Sequence, residues 1–110
     1  RINVGLLTNI RRALIASKFQ RKDLKIIEAI PGERFATIVF DFKDKGWELT
    51  DARGELDVSH ESWQGKLRKG TSTLTCTWSK NDQGEIVGLT RIVEGIAKDY
   101  NLKVQSTPSR

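Results

Sequence analysis

His60 and Cys76 are the only imidazole and the only thiol in this 110-residue chain. A nucleophilic triad or histidine-based acid–base catalysis needs a poised base held in place by a third group. His60 stands in Ser59-His60-Glu61-Ser62, a solvated loop composition, and reads as a surface histidine. Cys76 falls on the inward side of an alternating segment, so it reads as a buried structural thiol and not as a nucleophile, which needs a basic, exposed setting. One His and one Cys do not complete a four-ligand zinc site without several carboxylates. No EF-hand spacing, Walker loop or GxGxxG sequence is present, so neither metal nor cofactor is expected. Asp41 is the most interesting acid, because it sits in a run of large apolar residues. It reads as a strand-end carboxylate paired with Lys43 or Arg34. Nothing here supports an enzyme.

The cations carry the stronger signal. The formal net charge is +5, unevenly placed along the chain. Residues 1–22 hold six bases and no acid, whereas residues 23–62 hold ten acids against five bases. Lys66, Arg68, Lys69 and Lys80 then make residues 63–80 basic, and residues 81–110 balance. Basic side chains that displace condensed counterions are what a phosphate-binding surface requires. The candidate phosphate contacts are Arg11, Arg12, Lys18, Arg21, Lys22, Lys66, Arg68 and Lys69, with Trp63 exposed to stack on unpaired bases. The resulting expectation is a non-enzymatic nucleic-acid-binding module whose two basic segments converge. The alternative is a protein-interaction or adaptor domain using opposed charged patches and an exposed Trp, since Trp and Arg are favoured interface anchors. The partner is thus expected to be a nucleic acid or a protein, and not a membrane. Of the other tryptophans, Trp78 and Trp47 read as core.

These residues need elements to position them. Thr71 to Lys80 alternates, with Ser72, Leu74, Cys76 and Trp78 on one face and Thr71, Thr73, Thr75 and Thr77 on the other, the period of a half-buried strand. Asn81-Asp82-Gln83-Gly84 supplies a turn and Glu85 to Leu89 a returning strand. Thr90 is placed to cap a helix whose stripe is Ile92, Val93, Ile96, Ala97 and Tyr100. Asn101 suits a left-handed stop, with Leu102 folding back and a closing strand to Val104. Upstream, Leu6, Leu7, Ile10, Ala13, Leu14 and Ser17 recur at helical spacing, which predicts an amphipathic helix with a basic outer face. Leu24 to Ile30 reads as a strand and Pro31-Gly32 as the centre of a type II turn. Arg34 to Phe42 reads as a strand covered on both faces. Lys43 to Gly46 makes a turn, Trp47 to Thr50 starts a strand that Glu55 to Val58 extends, and Ser59 to Gly65 is a loop. Gln64 to Lys69 extends toward the next strand.

The length fits one domain, residues 1–105, with a flexible tail at 106–110. The fold class is α+β: a two-layer sandwich, an antiparallel meander sheet of four to five strands with an N-terminal and a C-terminal helix packed on one face. A ligand cavity under a long helix is disfavoured, because the Arg91–Tyr100 helix spans only about 15 Å. The apolar fraction of 37% against 30% charged residues fits a soluble globular chain. Its longest apolar run is too short for a membrane helix. With one cysteine and no Asn-x-Ser/Thr acceptor, the expected setting is intracellular, cytoplasmic or nucleoid or nuclear.

Overall fold

A computed structural model of the chain describes residues 4–109, and their side chains from residue 10 onward. Residues 1–3, most of a start at residues 1–4 that reads as a short strand or a disordered start, and the side chains of Leu6 and Leu7 lie outside what it describes, whereas Val4 opens the first helix. The class is α+β. A five-stranded antiparallel sheet runs in the order β1-β5-β4-β3-β2. Its strands are β1 (Leu24–Ile30), β2 (Glu48–Thr50), β3 (Ser62–Lys69), β4 (Ser72–Ser79) and β5 (Gln83–Leu89). The helices are α1 (Val4–Arg21), α2 (Gly32–Asp44) and α3 (Thr90–Tyr100).

Strands β2 to β5 form the meander, joined by short turns except for the loop at 51–61. The inward residues come in registered rows: Trp63 and Trp78 with Gly84, Gly65 and Cys76 with Ile86, and Leu67 with Leu74. Strand β1 joins beside β5 and carries a bulge between Ile27 and Ile30, with Ala29 in the left-handed region at φ 54°.

The helix layer over this face is α2 and α3. Phe35, Ile38, Val39 and Phe42 of α2 and Val93, Ile96 and Ala97 of α3 are buried in the same core as the sheet rows. The stripe expected on α3 is thus present. Asn101 is its left-handed stop at φ 55°, and Leu102 N–H donates to the Ala97 carbonyl at 2.8 Å. The expected cap differs. Thr90 opens the helix, and its backbone N–H and hydroxyl both reach the Asp23 carbonyl, at 2.9 and 3.2 Å. The expected closing strand is a single bridge, Gln105 to Ile26.

Residues 34–42, expected as a strand, are instead the body of α2. Phe35, Ile38, Val39 and Phe42 stand at i, i+3, i+4 and i+7, the helical period. Alternation would have grouped Phe40 with Ile38, but Phe40 is half exposed. The Pro31-Gly32 turn is overturned with it. Pro31 caps the helix at φ −56° and ψ 146°, its carbonyl accepting from Phe35 N–H at 2.8 Å, and Gly32 is the first helical residue. The first helical turn has no use for amide donors behind it, which suits proline there. Residues 55–58 belong to the loop, and Trp63 and Gly65 belong to β3.

Helix α1 stands apart from this core. Its main packing partner is β1. Among the described residues, Phe19 and Ile26 are the two buried apolar residues outside the core cluster. Ile26 alternates away from Ile27, so α1 covers the far face of β1, at one flank of the otherwise open side of the sheet. The face it buries is Ile15, Ala16 and Phe19; the expected inward positions Ile10, Ala13, Leu14 and Ser17 are all exposed. Among the described residues, no helix is long and apolar enough to cross a membrane.

Candidate interaction surface

The loop holding the lone histidine contains Asp57, Ser59 and His60, three residue types of a catalytic triad, in the wrong connectivity. The Ser59 hydroxyl donates to Asp57 Oδ1 at 2.6 Å and the Ser59 backbone N–H to the same oxygen at 2.9 Å. His60 Nε2 lies 3.5 Å from Asp57 Oδ2. The serine is therefore bonded to the acid and not to the base, which is not the order in which a triad passes its proton. Those Ser59 bonds, hydroxyl first, hold the Asp57 carboxyl below its ordinary range. The motif is a side-chain-closed turn. It serves the core: the His60 carbonyl accepts the Trp78 indole N–H at 3.3 Å, and the Gly54 carbonyl accepts that of Trp63 at 3.4 Å.

Asp41 and Cys76 are also structural. Asp41 accepts from the Tyr100 hydroxyl at 2.6 Å, tying α2 to α3, and not from Lys43 or Arg34 as expected. Arg34 instead donates to the Tyr100 carbonyl at 3.2 Å. Burial pushes the Cys76 thiol up to about 12, which keeps it protonated. No group of three or more metal-ligating side chains occurs among the described residues.

The cations divide into two sets. Arg11, Arg12, Lys18, Arg21 and Lys22 are all exposed, on α1 and the turn after it. Lys66 and Arg68 project from β3 on the open side of the sheet, beside Gln64 and across from Thr75 and Thr73. Strand β3 is three strand spacings from β1, roughly 14 Å. The two sets share a side of the sheet but stand at different places on it. Carboxylates accompany the β3 set: Lys66 Nζ lies 3.7 Å from Asp51 Oδ2, and Arg68 is registered opposite Glu48.

Lys69 leaves this surface altogether. Its ammonium donates to the Lys45 carbonyl at 3.1 Å, at the C-terminal end of α2 on the other side of the sheet, where a cation suits the helix dipole. Trp63 is not at the surface either. It is 6% exposed, with its ring set edge-on to Phe35 at 6.1 Å and 76°. The expected loop at residues 59–65 is polar in composition, but from Ser62 it is strand β3, where Ser62, Gln64 and Lys66 alternate with the inward Trp63 and Gly65.

Two surfaces lie outside the sequence reading. A cleft of about 500 Å³ opens on the sheet side among Arg53, Ser62, Gln64, Thr77, Ser79 and Glu85. The second is the apolar part of the exposed face of α1, beside the cations already expected there. Every residue from Ile10 to Leu14 is exposed. Five consecutive positions exceed one turn of 3.6 residues, so no side of the helix is buried there, and Arg12 and Ala13 line a shallow groove with Thr107, Pro108 and Ser109. Ile10 is 49% and Leu14 67% exposed. The sequence signal for this was the pair of apolar sectors on α1, Ile10 with Leu14 and Ile15 with Phe19. Which of the two packs inward depends on β1, not on α1. Against this geometry, no protein-family model, no curated protein and no solved structure matches the chain.

Proposed function

We propose that this chain is a non-enzymatic binding module that docks a partner protein through α1. The observation that carries the reading is the full exposed turn at Ile10–Leu14, with two large aliphatic side chains in water beside acid-free cations. Exposed apolar side chains grouped with Arg are what an interface anchor looks like. A phosphate surface needs the cations and has no use for Ile10 or Leu14. It also fits the β3 residues poorly, because Asp51 and Glu48 accompany Lys66 and Arg68 and the buried Trp63 ring has no face for a base.

A salt titration with labelled single- and double-stranded oligonucleotides tests the choice, using the unmodified chain, Leu14→Ser and Arg11→Glu. The expected result is weak or absent oligonucleotide binding, with no effect of Leu14→Ser on what remains. Tight binding whose log affinity falls against log salt with a slope of about −4.5 on the duplex, or about −3.5 on the single strand, the values for about five neutralised phosphates, would replace this reading with nucleic-acid recognition.

A further inference from the structure

We infer that α1 docks into an apolar groove rimmed by carboxylates on a different protein; this rests on the reading of α1 as the docking element and specifies its occupant. Ile10 and Leu14 are four apart and therefore adjacent on one helix face, the spacing by which a helix anchors in a groove. Lys18 is four residues beyond Leu14 and Arg21 seven, so the same face continues into two cations. Arg11 lies seven before Lys18, on the same side about 10 Å along the axis, and borders Leu14. No acid occurs anywhere on α1 to neutralise them. A complementary surface is thus apolar opposite residues 10–14 and acidic opposite residues 18–21. Seating one such aliphatic side chain is worth on the order of tenfold or more in affinity.

The other occupants fit less well. Two copies of α1 face to face set arginines and lysines against each other with no acid between them, an arrangement that like charges oppose. Phe40 on α2 is the other large exposed apolar residue among the described residues, and the Lys43 ammonium stands 5.8 Å from its ring centre, so a second copy would meet a cation there as well. An anionic lipid surface suits a helix with one broad apolar face. Here Ile15, Ala16 and Phe19 are committed to the chain's own body, leaving a narrow sector outward. A nucleic acid satisfies the cations and leaves Ile10 and Leu14 without a seat.

The test places the photo-crosslinker p-benzoylphenylalanine at position 14 of the full chain in its source cells, with position 40 as the control. The expected result is one dominant protein adduct from position 14 and not from position 40, resistant to nuclease, whose crosslinked peptide is rich in Asp and Glu beside aliphatic residues. Combining Lys18→Glu with Arg21→Glu should lower its yield at least tenfold, whereas Lys18→Arg should leave it. Circular dichroism confirms that each variant is folded. An adduct on a peptide without acids, one indifferent to the charge reversal, or one to a second copy overturns the acidic groove while docking through α1 stands. An adduct to nucleic acid or lipid only, or no adduct, overturns both.

Discussion

At Gly84 the sheet approaches α2 so closely that a side chain has nowhere to go. A Cβ built there meets Phe35 Cδ1 at 2.5 Å and Cγ at 2.8 Å. The Phe35 ring is itself held between Trp63 and Trp78, with centroids at 6.1 and 6.0 Å, so it has no free direction in which to yield. Gly84→Ala should therefore destabilise by about 1–3 kcal/mol, the usual cost of overpacking a core. Gly88→Ala is the internal control. Its nearest obstacle is the Leu74 Cδ2 methyl, the movable end of a side chain, and denaturant midpoints should rank it as the milder change. The Tyr100–Asp41 bond acts at the same scale. Burial first, and the bond to Asp41 second, push the Tyr100 hydroxyl up to about 12, above an unfolded value of about 10. A folded pKa raised in this way gives stability that is complete below pH about 10 and is lost as pH rises from there to about 12. Tyr100→Phe should cost about 1 kcal/mol near neutrality and remove that alkaline loss, which urea titrations on either side of pH about 10 will read.

Among the elements, α2 depends on a cation that looked in the sequence like part of a phosphate surface. Lys69→Ala removes the donor to the Lys45 carbonyl and should cost about 0.3–1 kcal/mol. Lys66→Ala, which breaks only an exposed ion pair at 3.7 Å, should cost less, in the range of about 0–1 kcal/mol. Thermal melts of the two variants separate a cap from a surface pair. What could be read in advance follows the same physics. Strand β4 and helix α3 were legible because one face of each is polar throughout, so the period of two or 3.6 is visible; β5, whose outer face mixes Gln83 and Glu85 with Val87 and Leu89, was legible from the polar turn before it. Helix α2 was not. Residues 35–42 are apolar at enough positions to satisfy both periods, and only the exposure of Phe40 separates them. In α1 the helix was legible and its orientation was not, since two apolar sectors compete and β1 chooses. The site suffered most: Lys66, Lys69 and Trp63 are near neighbours in the chain, yet strand alternation and the strand end send them to an open sheet face, a helix cap and the core. Because α1 is held through Phe19 and outside the main core, Phe19→Ala should release it alone. Hydrogen exchange should then show α1 amides losing protection while those of β3, β4 and β5 keep theirs.

For the molecule as a whole, the question is whether sheet, helices and the 51–61 loop come apart together. The loop is bound to the core by both buried indoles, through the Gly54 and His60 carbonyls, and α2 and α3 share one buried cluster with all the inward rows of the sheet. Cys76 sits in the middle of that cluster and is wholly buried. An alkylating reagent reaches a thiolate in solvent, and Cys76 in the folded chain offers neither the ionised form nor access. Modification must therefore wait for an opening that exposes the centre of β4. If that opening is global, the labelling rate at pH about 8 should lie at least about a thousandfold below that of the unfolded chain, as a stability of about 5 kcal/mol or more requires. Its logarithm should rise linearly with urea, with the slope of equilibrium unfolding. A rate indifferent to urea would mean that β4 opens locally and that the shared cluster does not act as one unit. The pH dependence has a definite sign as well. Burial raises the folded thiol to about 12 against about 8.5 in the unfolded chain. The folded state thus holds a proton that the unfolded state releases, and stability should fall as pH rises across that interval. Cys76→Ala should abolish the labelling and leave only the alkaline loss that belongs to Tyr100.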